Sequence, residues 1–178
     1  MRINKLFIYL TFLFFTTSTL FSDEIEFEAS NMDIKNDGNT ILAYNSKTII
    51  LNENITITSK KAKYIKDKKI IIFEDDVFFD DKKNKLTIQS QKISYDKDKD
   101  LIYSNNETFF DIEKKYKIKS NDVFFNRKIN EIYSDKATTL KDDKKNIYNF
   151  KKKFKYDLND RIVKSNNSHY RLNKHIPL

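Results

Sequence analysis

The residues able to act as acids, bases, nucleophiles or metal ligands are few and poorly grouped. Both histidines, His169 and His175, lie near the end of the chain, cysteine is absent, and there is one glycine. Without cysteine there is no disulfide, no thiol nucleophile, no thiolate metal site and no lipidated cysteine. A single glycine leaves no phosphate-cradling loop, nucleophile elbow or dinucleotide fingerprint. The densest carboxylates are Glu74, Asp75 and Asp76, followed by Asp80 and Asp81. A calcium loop demands carboxylates at fixed positions, and these alternate with lysines at turns. The residues therefore predict no enzyme, no cofactor and no metal.

Charge points instead to binding. The formal net charge is +8, and a basic surface attracts a polyanion such as nucleic acid, anionic lipid or a phosphorylated glycolipid. Lysine clusters such as Lys60-Lys61 and Lys151-Lys152-Lys153 serve equally as solvated faces.

The start of the chain narrows the choice. Arg2 and Lys5 precede the apolar run LFIYLTFLFF at 6–15, then hydroxyl residues, Ser22 and the acidic pair Asp23-Glu24. A charged start, a short apolar stretch and a small residue before a polar segment describe a secretory signal. The apolar run is shorter than the ~20 residues that span a bilayer, so cleavage after Ser22 is favoured over a retained anchor. Cleavage removes Arg2 and Lys5 and no acid, lowering +8 to +6. Export places the body outside the cytoplasm, in the periplasm, which argues against a nucleic-acid partner. Association with the outer membrane remains open, with an inner-membrane anchor less favoured.

The elements that must position any binding surface are written as a repeat. Ile57-x-Ser59-x-x-Ala62-x-Tyr64, Ile88-x-Ser90-x-x-Ile93-x-Tyr95 and Ile118-x-Ser120-x-x-Val123-x-Phe125 share one pattern. Looser copies end at Ile34 and Tyr156, so the closing residues recur every 30 or 31 positions. Each copy is followed by an Asp-, Asn- or Lys-rich cluster and a second apolar run, the punctuation of hairpins. The runs are too short for helices and lack helical spacing.

Each repeat thus reads as two strands and a turn. Within the motif Ile88 and Ser90 share one parity, and Ile93 and Tyr95 share the other, which predicts a bulge or bend in each first strand. The expected fold is all-β: a stacked β-jellyroll, or flattened sandwich, of about five two-strand repeats behind a hydrophobic signal helix. Its boundaries are a signal at 1–22, the repeat domain at 23–165 and an irregular tail at 166–178. A plain meander sheet is the alternative architecture.

At these motifs the sequence resembles the OstA-like repeat of the lipopolysaccharide-transport β-jellyroll family. That repeat reads approximately apolar-x-Ala-Asp-x-apolar-x-Tyr, a turn, then a strand ending Gly-Asn-Val. Ser59-Lys60, Ser90-Gln91 and Ser120-Asn121 stand in place of Ala-Asp. Asp75-Asp76-Val77 stands in place of Gly-Asn-Val, with Asn106-Glu107-Thr108 a weaker match. The resemblance covers about 25–165.

It implies two sheets splayed around an apolar trough for lipid A acyl chains, with modules joined edge to edge. The partners implied are lipopolysaccharide and other jellyroll proteins of the same transport system. The regular repeats are most similar to the N-terminal periplasmic domain of the family's outer-membrane assembly protein. The length suits its soluble bridge member equally.

The expected lining comprises Ile57, Ala62, Tyr64, Ile72, Val77, Ile88, Ile93, Tyr95, Tyr103, Ile118, Val123 and Phe125. Two other functions stay open: an envelope module that binds only protein through its strand edges, and a truncated relic of a longer assembly protein. Exposed strand edges are reactive towards partner strands, which suits either edge-joined reading.

Overall fold

The computed structural model describes residues 25–166 and the backbone of 168–171. The expected signal at 1–22 and His175 lie outside the described residues, and only the backbone of His169 lies within them. Four long strands open the fold: β3 (Thr40–Ile50), β4 (Ile55–Ile65), β5 (Ile70–Asp81) and β6 (Leu86–Asp96). They follow the short β1 (Ile25–Glu28) and β2 (Asn31–Lys35). Ten short strands complete it: β7 (Leu101–Ser104), β8 (Thr108–Ile112), β9 (Tyr116–Ser120), β10 (Val123–Asn126), β11 (Glu131–Ser134), β12 (Thr138–Lys141), β13 (Ile147–Phe150), β14 (Phe154–Asp157), β15 (Ile162–Ser165) and β16 (Ser168–Arg171). β16 falls in the segment expected as an irregular tail. The only helical turn among the described residues is the 3-10 turn Leu51–Glu53.

All sixteen strands form one antiparallel sheet creased down its middle. The front arm holds β2, 40–44 of β3, 61–65 of β4, 70–74 of β5, 92–96 of β6, β7, β10, β11 and β14 to β16. The back arm holds β1, the other halves of β3 to β6, then β8, β9, β12 and β13. β1 and β2 are separated by a break at 29–30, and β3 to β6 run through the crease. After β6 each crossing is a break, at 105–107, 121–122, 135–137 and 151–153. The arms fold over a shared core, as ring contacts show between Phe27 and Tyr64 (6.3 Å) and between Phe150 and Phe154 (5.2 Å).

The predicted bend is present, and its mechanism differs in detail. In β6 the buried residues are Leu86, Ile88 and Ser90, then Ile93 and Tyr95, so the inward parity changes at the crease. The extra residue belongs to the companion strand β5. Asp75 and Asp76 together oppose Gln91, and both have left-handed backbones (φ 62° and 54°). Asp75 stands where the related repeat carries its glycine, and Asp76 where it carries asparagine. The backbone conformation that suits glycine is retained, at a strain of ~1–2 kcal/mol per residue.

The same economy of glycine governs the turns. In 66–69, 82–85, 97–100 and 127–130 the fourth N–H donates to the first carbonyl, and the fourth residue (Lys69, Lys85, Asp100 or Asn130) is left-handed. Each turn also bonds to the next repeat. Lys97 N–H donates to Lys69 O, Arg127 N–H to Asp100 O and Leu158 N–H to Asn130 O, all within 3.0 Å. The turns stack one repeat upon another, as the constant period requires.

Candidate functional site

The inner face is built from two cross-strand rows. On the front arm Ile41, Tyr64, Ile71, Tyr95, Ile102, Phe125, Ile132, Tyr156 and Val163 are successive partners across the sheet. The closing aromatic of each repeat motif alternates there with an isoleucine or valine from the second run. A repeat of 30 or 31 residues is therefore two strands of this row. Ile34 heads the row beside Ile41 but is 66% exposed, because β2 is an edge with no repeat beyond it. On the back arm the row runs Thr48, Ile57, Phe79, Ile88, Phe110, Ile118, Leu140, Tyr148.

Ten of the twelve expected lining residues lie on this inner face and are buried: Ile57, Ala62, Tyr64, Val77, Ile88, Ile93, Tyr95, Ile118, Val123 and Phe125. Ile72 and Tyr103 do not, and their interior placement is corrected. Strand alternation turns both to the outer face, and their neighbours Ile71 and Ile102 point inward. Both belong to an outer row, Leu42, Lys63, Ile72, Ser94, Tyr103, Phe124, Tyr133, Lys155. Within it Phe124 stacks on Tyr103 at 4.5 Å and on Tyr133 at 5.0 Å. An apolar run of four residues carries no parity mark, so the sequence alone did not separate Ile71 from Ile72.

Sequence reasoning missed what lines the crease. The serine of each motif, Ser59, Ser90 or Ser120, sits at the fold line with its hydroxyl inside. Ser46 and Ser59 hydroxyls are 3.3 Å apart, Ser90 and Ser104 2.9 Å, and Ser120 and Thr138 2.7 Å. Thr108 Oγ1 lies 2.7 Å from Ser104 Oγ and 3.1 Å from Ser90 Oγ. Ser90 is 8% exposed and Thr108 is fully buried, so these hydroxyls must satisfy one another and the broken backbone. The recurrent serine was the visible signal.

The side of the fold opposite the crease is held by two arginines. Arg127, in a front-arm turn, donates to Asp81 Oδ2 (2.8 Å) at the end of β5 and Glu53 Oε2 (3.0 Å) in the 3-10 turn, both on the back arm, and to Asp100 Oδ1 (2.6 Å) of its own arm. Asp81 also accepts bonds from Asn84, and Asp100 from the Tyr95 hydroxyl (2.8 Å). Burial opposes the charge on Arg127, but the carboxylates outweigh it and hold the guanidinium above its ordinary pKa. Burial, reinforced by Asp100, pushes the Tyr95 phenol up. Farther along, Arg161 donates to both oxygens of Glu113 across the same opening (3.0 and 2.9 Å).

Three further carboxylates of the 74–81 cluster also face cations. Glu74 meets Lys92 at 2.7 Å, Asp75 meets Lys61 at 3.1 Å, and Asp76 meets Lys60. Among the described residues no three carboxylate or histidine side chains converge to hold a metal. What the arrangement offers is an enclosed apolar interior between two arms joined along one side.

Known proteins match this arrangement. A family model described as "Lipopolysaccharide-assembly, LptC-related" matches residues 17–112. No curated protein matches the chain. Among solved structures, the fold is similar to LptH of Pseudomonas aeruginosa, described as the LptA-homologous periplasmic component of a lipopolysaccharide transport device. That likeness has a TM-score of 0.50 and 8% identity over 71% of this chain and 82% of the other. It speaks for the β-jellyroll and for nothing finer.

Proposed function

The chain belongs to the LptC-related lipopolysaccharide-assembly family, and from that premise we propose that it is a non-catalytic periplasmic module of lipopolysaccharide transport. The observation that carries the reading is the creased sheet, whose two arms face each other with apolar rows on either side of a hydroxyl-lined crease. Acyl chains of lipid A enter between the arms and replace side-chain contacts with equivalent apolar ones, at about 25 cal/mol per Å² of apolar surface removed from water. The inner residues placed above, from Ile57 to Phe125, are the proposed contacts. The phosphorylated sugars stay outside, where exposed lysines such as Lys60 and Lys61 exchange their Asp76 and Asp75 partners for phosphate.

Assembly with related jellyrolls uses the edges. β2 ends the front arm, and its residues Met32 and Ile34 are 40% and 66% exposed. An unpaired strand edge with apolar side chains receives a partner strand at little cost. The export signal expected at 1–22 supports a periplasmic location.

Site-specific photocrosslinking tests the proposal, with the probe at Ile93 inside and a control at Lys92 outside. An adduct with lipopolysaccharide at Ile93 and none at Lys92 is the expected result. Adducts with protein alone at both positions would retire the lipid reading and leave an interaction module.

A further inference from the structure

We infer that the two arms part first at the C-terminal end of the stack, between β9 and β14, where the Arg161–Glu113 pair is the latch and the Arg127 cluster is a fixed post. The identity of what enters rests on the carrier reading above, whereas the place of opening does not.

Two independent features set this polarity. The first is the crease itself. Four strands, β3 to β6, cross it as unbroken strands whose ladder is interrupted at the β5 bulge, so bending the N-terminal half open means deforming four strands together. Beyond β6 the arms are joined by links of two or three residues between strands of four or five, and there the arms can swing.

The second feature is the pair of arginines. Arg127 is 2% exposed, Asp81 is fully buried, and Asp100 and Glu53 are 19% and 36% exposed. Separating them strands charges in a poorly hydrated place. Arg161 and Glu113 are 40% and 26% exposed, and among the described residues one carboxylate, Glu113, pairs with the guanidinium. Water compensates such a pair when it parts, so the pair holds the arms only weakly. Directly inside the latch, the Tyr116 and Tyr156 rings meet across the arms at 6.1 Å, and both are about 1% exposed. Parting them opens a path toward Leu140 and Phe154, both fully buried.

Hydrogen exchange on the full chain reads the opening directly. In Glu113→Gln, amides of β9 and β14 should exchange about fivefold faster than in the parent, with β4 and β5 unchanged. Equal acceleration in β4 and β5, or acceleration there alone, overturns the inference. A second measurement uses Glu113→Cys/Arg161→Cys joined by a short bismaleimide, compared with the same protein capped by a monofunctional maleimide. The capped protein should take up fluorescent lipopolysaccharide, and the bridged protein should fall to background. Equal uptake by both overturns the inference. No uptake by either form, with the exchange pattern as expected, removes the carrier reading and leaves the place of opening supported.

Discussion

Arg127 Nε donates to Asp81 Oδ2 at 2.8 Å although the two residues belong to opposite arms and are 46 positions apart. Neither side chain has meaningful access to water, so each is the other's replacement for hydration. Arg127→Met should leave Asp81 charged and buried and cost about 3–5 kcal/mol of stability. The double variant Arg127→Met/Asp81→Leu should recover part of that loss. Urea denaturation of the three proteins checks it, and a single-variant loss below about 1 kcal/mol would contradict the cluster's role.

The crease hydroxyls make a separate prediction. Thr108→Val keeps the shape but removes the oxygen that meets Ser90 and Ser104. The loss should be about 1–3 kcal/mol, because two buried hydroxyls lose a partner. At the half-buried Thr139, whose hydroxyl meets the exposed side chain of Asn149 (3.0 Å), the same substitution should cost less. Comparable midpoints for the two variants in thermal melts would show that the crease does not depend on its hydroxyls.

Alkaline stability follows from the buried tyrosines. Burial raises the pKa of Tyr95, with Asp100 adding to it, and burial raises that of Tyr156, with Tyr116 adding to it. The unfolded chain loses these protons near the ordinary value of 10.0, before the folded protein does. Their contribution is therefore fully present below about pH 10 and is lost progressively as pH rises above it. Tyr156→Phe should make the fall of unfolding free energy above pH 10 shallower. An unchanged slope would mean that Tyr156 titrates alike in both states.

Turn geometry offers a stabilising change. Lys85 closes the turn 82–85 with φ 51°, a conformation that costs a non-glycine residue energy. Lys85→Gly should raise stability by about 0.5–1 kcal/mol, as relief of that strain exceeds the extra flexibility of the unfolded chain. Lys83→Gly, in the same turn without a left-handed backbone, should bring no gain. The midpoints in urea distinguish the two.

Much of this architecture was legible in the sequence because it is periodic. The spacing of Tyr64, Tyr95, Phe125 and Tyr156 states that one unit recurs, and the parity change between Ser90 and Ile93 states that its strand bends. Both depend on near neighbours along the chain. The assignment of Ile72 and Tyr103 to the interior went astray for the same reason. Within Ile70-Ile71-Ile72-Phe73 every residue is apolar, and only the register with β4 and β6 decides which of them faces in.

What the sequence by itself determined was the all-β class, the repeat, the position of the crease and most of the inner face, since hydrophobic alternation and turn chemistry act over a few residues. The tertiary structure alone decided how the arms close. Arg127 is one of 34 basic residues in the sequence, and nothing near it in the chain marks it apart from surface lysines. Its partners Glu53 and Asp81 lie 74 and 46 positions away, and folding one arm over the other brings them within 3.0 Å. Burial then turns an ordinary surface charge into the post on which the fold shuts.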